Sequence, residues 1–193
     1  MGAVYPQGYA GDAGIGDASF AFAFWPYANR DTKTYFGLAG YLVAPTGSYE
    51  AGRVFNMGEN RYKTALQAGY QRPITEKTSW MAAFDALWFG DNTDYQAQHN
   101  KLEQNALYTT QFCLRYDFNP QYSIAATYFY SFGGEAAVNG IDANNQTQLH
   151  RYQLSGVANY SFGRVMLQYG SDLKTENGYF EDQRLILRYI TIF

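Results

Sequence analysis

The sequence lacks most of the features on which enzymes, metal sites and nucleic-acid-binding surfaces depend. Its single cysteine, Cys113, can form neither an internal disulfide nor a zinc cluster. Only His99 and His150 could activate a nucleophile, and no Gly-x-Ser-x-Gly motif occurs. The net charge of −3, without a run of lysine or arginine, gives no electrostatic basis for binding nucleic acid. We therefore expect no enzymatic activity, no bound metal, no cofactor and no nucleic-acid partner.

Long hydrophobic runs are also missing from the sequence. No stretch reaches the roughly 18 uninterrupted apolar residues of a membrane-spanning helix. Residues 1–14 have neither the basic segment nor the apolar run of a signal peptide. If the protein is exported, we expect its natural chain to begin before Met1.

Aromatic residues and a two-residue periodicity are abundant instead. The chain has 19 Tyr, 14 Phe and 3 Trp. All three types favour β-strands, and Tyr and Trp also favour membrane–water interfaces. Apolar and polar residues alternate in long segments such as 105–118, 122–132 and 151–162. Alternation over about ten residues is typical of the strands of transmembrane barrels.

The periodicity predicts nine strands of an all-β, antiparallel, up-and-down transmembrane β-barrel. The predicted strands are residues 17–25, 33–44, 61–72, 78–90, 103–118, 121–132, 149–162, 164–172 and 183–193. Short turns alternate with long polar loops at residues 45–60, 91–102, 133–148 and 172–182. Outer-membrane barrels have short turns in the periplasm and long loops outside the cell.

We therefore predict a single barrel domain over residues 1–193, with residues 1–16 as a loop. It would lie in the bacterial outer membrane, in contact with outer-membrane lipid. The alternative is a soluble β-sandwich or closed barrel. Such a fold would have to bury aromatic rows on nearly every strand.

The odd number of strands is a separate observation. Bacterial single-chain barrels have an even number of strands, with both chain ends in the periplasm. The nine predicted strands end there but begin outside. We therefore expect the chain to be N-terminally truncated, with strands missing from a barrel of about 12. Because an open barrel leaves two unpaired strand edges in lipid, we do not expect this chain alone to form a sealed pore.

The last residues resemble the C-terminal signal by which outer-membrane barrels are recognised for insertion. The chain ends on Phe193, and Tyr189 has the same parity in the alternating pattern. Thr191 departs from the signal, which usually has an aromatic or aliphatic residue there. The resemblance implies the barrel assembly machinery as a partner.

Three short motifs in the first third of the chain carry a family resemblance. They are a Gly-Asp pair, a Pro-x-Gly-x-Tyr segment and an Asn-x-Gly-x-Asn segment followed by an aromatic residue. Their residues are Gly16, Asp17, Pro45, Gly47, Tyr49, Asn56, Gly58, Asn60 and Tyr62. In this order they resemble the outer-membrane proteins of the MetA-pathway of phenol degradation family, whose members are longer at the N-terminus. The resemblance implies a channel or transporter for the uptake of aromatic or other hydrophobic compounds.

Charged and polar side chains collect on the strand parity opposite to the aromatic rows. Because charges avoid lipid, we expect this parity to face a wet lumen. There the charges either pair with one another or form a constriction that selects solutes. The predicted lumen or substrate-path residues are Lys63, Asp85, Arg115, Arg151, Arg184 and Arg188. The loop 45–60 is either a compact loop that holds the rim together or a lid.

The sequence therefore leads to two functional hypotheses. The first is an outer-membrane channel that passes hydrophobic or aromatic small molecules by diffusion. The second is a structural or adhesive barrel, whose lumen is plugged by side chains and whose external loops bind a partner.

Overall fold

Alternating side chains give the chain its long strands, because each strand can then present one apolar and one polar face. The computed structural model describes residues 14–53 and 55–191, and within those ranges it contains thirteen strands and no helix. No helix long and apolar enough to cross a membrane is therefore found in them. The strands are β1 (Ala18–Asn29), β2 (Thr34–Ala44), β3 (Lys63–Pro73), β4 (Thr78–Phe89), β5 (Asn92–Tyr95), β6 (Asn100–Gln104), β7 (Leu107–Asp117), β8 (Tyr122–Gly133), β9 (Ala136–Val138), β10 (Ile141–Asp142), β11 (Thr147–Tyr160), β12 (Gly163–Glu176) and β13 (Arg184–Ile190).

Nine strands form one antiparallel sheet in the order β1-β2-β3-β4-β7-β8-β11-β12-β13. Each of them corresponds to one predicted strand. In the described part of the chain, β1 and β13 each pair on one side only, so the sheet is not closed. The all-β, antiparallel, up-and-down prediction is thus confirmed. Closure into a barrel of 12 strands stays a prediction.

The first strand continues past the proline at which its prediction stopped. β1 runs through Pro26 to Asn29, with a bulge between Phe24 and Tyr27. Because β1 is an edge strand, the missing backbone N–H of proline breaks no ladder on its free side. The predicted turn at residues 26–31 was therefore wrong, and the observed turn follows Asn29.

The predicted strand 103–118 is divided in the structure. β6 ends at Gln104, and β7 begins only at Leu107. The backbone N–H of Gly134 donates to the carbonyl of Ala106 at 2.9 Å. Gly133 and Gly134 both have positive φ, and a Cβ on Gly133 would lie 2.5 Å from that carbonyl oxygen. This close approach requires glycine, and the chain leaves the large sheet at this point.

Two of the predicted polar loops contain a second, smaller sheet in the order β10-β9-β6-β5. Its central ladder joins the loop between β4 and β7 to the loop between β8 and β11. Leu102 pairs with Val138, and the backbone N–H of Asn139 donates to the carbonyl of Lys101 at 2.9 Å. The sequence did not predict this sheet, because neither loop alternates over a long segment.

The two faces of the nine-stranded sheet differ sharply. One face, here called the apolar face, carries exposed aromatic and aliphatic side chains, with Phe22 65% and Leu187 72% exposed. Rings on neighbouring strands contact one another across it, as Phe84 and Tyr108 do with centroids 5.9 Å apart. Among the described residues only Ala51 and Ala86 are buried apolar residues. Rows of exposed rings without a buried core are typical of a lipid-facing surface and argue against the soluble alternative.

The connections at the two ends of the sheet differ in length. Short turns follow β1, β3, β7 and β11, and long connections follow β2, β4, β8 and β12. Tyr189, from the predicted insertion signal, lies in β13 at the short-turn end, where its hydroxyl donates to the carbonyl of Phe162 at 2.6 Å. Phe193 lies outside the described residues, as do residues 1–13 of the predicted N-terminal loop. The role of the insertion signal stays a prediction.

Candidate functional site

The face opposite to the apolar face, here called the polar face, carries the predicted lumen residues. Strand register places all of them on it: Lys63, Asp85, Arg115, Arg151, Arg184 and Arg188. They do not form one constellation. Lys63 lies at the long-loop end, Asp85 lies near the middle, and Arg115 and Arg188 lie towards the short turns. Only Arg151 and Arg184 are brought together.

Asp85 is held between two amide side chains from adjacent strands. Its Oδ1 accepts a hydrogen bond from Nε2 of Gln67 on β3 at 2.6 Å and another from Nε2 of Gln111 on β7 at 3.1 Å. Hydrogen bonds of this kind stabilise a carboxylate without a cation. A polar bridge therefore joins three strands at this level of the sheet.

Arg151 and Arg184 belong to a charged cluster at the long-loop end, here called the charge cluster. The Nε of Arg151 donates to Oδ1 of Asp172 at 2.6 Å, and its Nη2 lies 2.9 Å from Oε2 of Glu181. Arg184 approaches the same Glu181 oxygen at 3.6 Å and donates to Oε1 of Gln153 at 3.3 Å. The side chain of Asp172 is 0% exposed. A carboxylate so deeply buried depends on its partners for its charge.

The sequence did not predict the acidic half of the charge cluster. The eighth predicted strand ends at Asp172, where a predicted polar loop begins, and neither Asp172 nor Glu181 is among the predicted lumen residues. β12 continues to Glu176, and Asp172 has the same parity as Arg164 and Gln168. The loop after β12 folds back, because the backbone N–H of Glu181 donates to Oδ2 of Asp172 at 2.8 Å. Because the alternation of β12 continues through Asp172, the sequence could have placed this residue on the polar face. No pattern in the sequence indicates the position of Glu181.

The other two predicted lumen arginines have simpler surroundings. Arg115 forms an ion pair with Asp117 at 2.8 Å, and both side chains are partly exposed. Arg188 pairs in register with Met166, and no described residue forms an ion pair with it. Lys63 reaches Oε1 of Glu59, just before β3, at 2.6 Å. Cys113 also falls on the polar face, in register with Met81.

The residues of the family motifs meet at the long-loop end, in what is here called the loop cluster. The carboxylate of Asp17 accepts backbone hydrogen bonds from Gly47 and Glu59, both at 2.9 Å. A Cβ on Gly58 would lie 2.7 Å from Oδ1 of Asp17 and 3.0 Å from the Cα of Gly47. The two glycines are therefore needed for the close approach of two backbone segments. Pro45 starts this loop directly after β2.

The loop cluster is also tied to the next long loop. Asn92, only 2% exposed, donates through Nδ2 to the hydroxyl of Tyr49 at 3.0 Å and accepts through Oδ1 from Nδ2 of Asn60 at 3.0 Å. The Tyr49 hydroxyl donates to the carbonyl of Asp94 at 2.8 Å. Asn56 forms two hydrogen bonds with the backbone of Glu50. These bonds favour a compact loop over a lid for residues 45–60.

The charged side chains of the loop cluster meet at Glu59, just before the start of β3. Its Oε2 accepts from Nε and Nη2 of Arg61 at 3.1 and 2.9 Å, while Lys63 binds the other oxygen. Partial burial would raise the pKa of Glu59, but the hydrogen bonds and charges of Lys63 and Arg61 outweigh it and lower that pKa. The Arg61 guanidinium also lies 4.6 Å from the centre of the Phe89 ring.

Comparison with known proteins tests the family resemblance. The family model for the MetA-pathway of phenol degradation matches residues 1–189. The chain belongs to this family. A crystal structure of an outer-membrane channel from Pseudomonas putida F1 is similar to the chain, with 31% sequence identity and a TM-score of 0.90. The similarity covers 94% of this chain and 68% of that channel. No curated protein matches the chain.

Membership in the phenol-degradation family confirms the prediction made from the motif residues. In this member of the family, the motifs build the loop cluster through backbone hydrogen bonds and glycine contacts. The charge cluster, by contrast, contains none of the motif residues.

Proposed function

We propose that the protein is a channel of the bacterial outer membrane that passes hydrophobic or aromatic small molecules by diffusion. The observation that carries the proposal is a sheet with one exposed aromatic face and one charged face, in a chain similar over most of its length to an outer-membrane channel. In this proposal the apolar face contacts lipid and the polar face lines the lumen. The barrel assembly machinery would insert the protein. A channel similar to the chain also favours transport over catalysis.

The charges on the polar face are mostly compensated, which supports uncharged solutes. Arg151 and Arg184 are paired with two carboxylates, Arg115 is paired with Asp117, and Asp85 lies between amides. A wall of compensated charges exerts only a weak field on a passing molecule. Membership in a phenol-degradation family supports aromatic solutes. Two cations of the polar face, Arg164 and Arg188, have no described ion-pair partner and would add a modest preference for anions.

Solute flux into proteoliposomes that contain the natural full-length protein tests the proposal. Phenyl glucoside is a neutral aromatic solute, and hippurate is an anionic one. We expect both to enter faster than into protein-free liposomes. Arg188→Gln removes one positive charge from the polar face. It should slow the entry of hippurate several-fold and leave the entry of phenyl glucoside unchanged. Arg72→Gln, on the apolar face, is the matched control and should change neither. Folded protein that passes neither solute would contradict the proposal.

The adhesive barrel remains a second candidate because of the small sheet in the long loops. This sheet gives the external surface a defined shape, and Ile141 on its edge strand β10 is exposed. The adhesive hypothesis predicts no flux through folded protein. It also predicts that charged substitutions at Ile141 abolish adherence of cells that display the protein. Flux without any effect on adherence would exclude it.

A further inference from the structure

Three short turns at one end of the sheet surround an open cleft, here called the turn cleft. The turns follow β1, β3 and β7, and two adjoining cavities of about 1200 and 390 Å³ lie between them. The cationic side chains of the lining are Arg30, Lys33, Arg72, Lys77 and Arg115. Its carboxylates are Asp31, Glu76 and Asp117. The lining of the turn cleft therefore has two more positive than negative side chains.

The cations of the turn cleft are accessible, and most of them are unpaired. Arg115 forms an ion pair with Asp117, and no other charge of the lining has an ion-pair partner within residues 14–53 and 55–191. Lys33 and Lys77 also form no side-chain hydrogen bond with those residues, and both are exposed. The positive charge of the cleft is therefore free to attract a ligand from solution.

The turns that carry these cations are held in shape by their own side chains. Asn29, Thr75 and Asn119 each accept a hydrogen bond, through a side-chain oxygen, from the backbone N–H three residues further along. The three distances are 2.9, 3.0 and 2.9 Å. Side-chain bonds of this kind fix the conformation of a turn. A ligand would meet a preformed surface, which lowers the entropic cost of binding.

The shape of the turn cleft favours an extended ligand. The larger cavity exceeds the roughly 300–1,000 Å³ of most small-molecule sites. The cations of the lining come from three separate hairpins. Ile74 and Phe118 belong to the same lining and are 60% and 50% exposed. Exposed apolar side chains surrounded by charges are typical of protein–protein interfaces.

The smaller cavity opens on the polar face, away from lipid. Gln71, Ser79 and Arg115 line it, and strand register places all three on that face. Of the five cations, only Arg72 does not line this cavity, and it lies on the apolar face. Lipid headgroups would approach from the apolar face, so that most of the positive charge is better placed for a ligand from the aqueous side.

We propose that the turn cleft docks an acidic, partly apolar segment of a periplasmic protein. Its carboxylates would pair with Lys33 and Lys77, and its apolar side chains would contact Ile74 and Phe118. The inference rests on the proposed function for its location, because the short turns of an outer-membrane barrel face the periplasm. It gives the short-turn end a partner that diffusion of solutes does not require.

Fluorescence anisotropy tests the docking surface, with the natural full-length protein in micelles of an uncharged detergent. The probe is a short labelled peptide of Glu and Leu, and the comparison peptide has Gln in place of each Glu. We expect the Glu peptide to bind at least about 10-fold more tightly, because only its charges are attracted to the cleft. Equal binding of the two peptides, or no binding at all, would overturn the proposal.

Two variants of the cleft sharpen the test. Lys33→Gln combined with Lys77→Gln removes the excess of two charges and should weaken binding of the Glu peptide by about 10-fold. Ile74→Ser leaves every charge in place and should weaken it several-fold. The matched control combines Lys101→Gln with Lys174→Gln, removes two lysines from the long-loop end and should bind normally. Unchanged binding in both cleft variants, or an equal loss in the control, would overturn the proposal.

Two competitors distinguish the docked segment from other occupants of the cleft. Neither excess sodium benzoate nor phosphatidylglycerol in mixed micelles should displace the Glu peptide. Displacement by benzoate would assign the cleft to small solutes, and displacement by phosphatidylglycerol would assign it to lipid headgroups. Either result would overturn the proposal.

Flux separates a failure of the docking surface from a failure of the channel. If phenyl glucoside enters proteoliposomes but the Glu peptide does not bind, the docking surface is wrong and the channel stands. If the peptide binds but no solute enters, the docking surface stands and the channel is wrong. Gel mobility with and without heating shows that each variant is folded.

Discussion

The charge cluster and the loop cluster lie at the same end of the sheet but are held together by different forces. The charge cluster joins Arg151 and Arg184 to Asp172 and Glu181 through ion pairs, one of them with a fully buried carboxylate. The loop cluster uses backbone hydrogen bonds to Asp17, the buried amide of Asn92 and contacts between glycines. The first therefore depends on charge balance and the second on shape.

Removal of the Asp172 carboxylate should have the largest effect on stability. Asp172→Ala leaves Arg151 without its closest partner, and breaking a buried ion pair costs about 3–5 kcal/mol. Because Arg151 is partly exposed and retains Glu181, we expect a value near the lower end, measured as the free energy of unfolding in urea.

Asp117→Ala is the matched control for this prediction. It removes the partner of Arg115 from a pair in which both side chains are partly exposed, and such pairs contribute at most about 1 kcal/mol. Equal losses in the two variants would mean that burial of Asp172 does not set the strength of the charge cluster.

Loss of shape in the loop cluster should have an intermediate effect. Gly58→Ala places a methyl group against Asp17 and Gly47, and forcing such contacts apart costs about 1–3 kcal/mol. Faster proteolysis within residues 45–60 would report the loosened loop. Gly156→Ala is the control, because nothing lies within 4 Å of its added Cβ. Equal proteolysis of both variants would show that the close approach of the two glycines is not needed.

The sequence predicted the nine long strands and the faces of the sheet, because alternation and register are properties of single strands. It predicted the family and the motif residues of the loop cluster from Asp17 to Asn60. It missed Asn92, because an asparagine in a polar loop is ordinary turn chemistry. It also missed Glu181 and the small sheet, which depend on contacts between segments far apart in the chain.

The loop cluster itself contains charged contacts around Glu59 as well as uncharged glycine contacts, and the two kinds should respond differently to acid. The pKa of Glu59 is lowered in the folded protein, although burial opposes this, because Lys63 and Arg61 bind its carboxylate. A lowered pKa stabilises the fold above the unfolded value of 4.5, and this stabilisation is lost as the pH falls through the folded value. The glycine contacts of the loop cluster carry no charge and should not titrate.

Replacement of Glu59 should therefore have the smallest effect on stability, and this effect should depend on pH. Glu59→Gln should lower the urea midpoint at pH 6, and the difference from the natural protein should vanish well below pH 4.5. Because Glu59 is nearly half exposed, solvent weakens the interaction and the shift should be modest. Glu76→Gln, in the short turn after β3, is the control, because its carboxylate forms no ion pair with a described residue. A Glu59→Gln difference that persists at pH 3 would mean that Glu59 contributes through packing, and the loop cluster would then depend on shape alone.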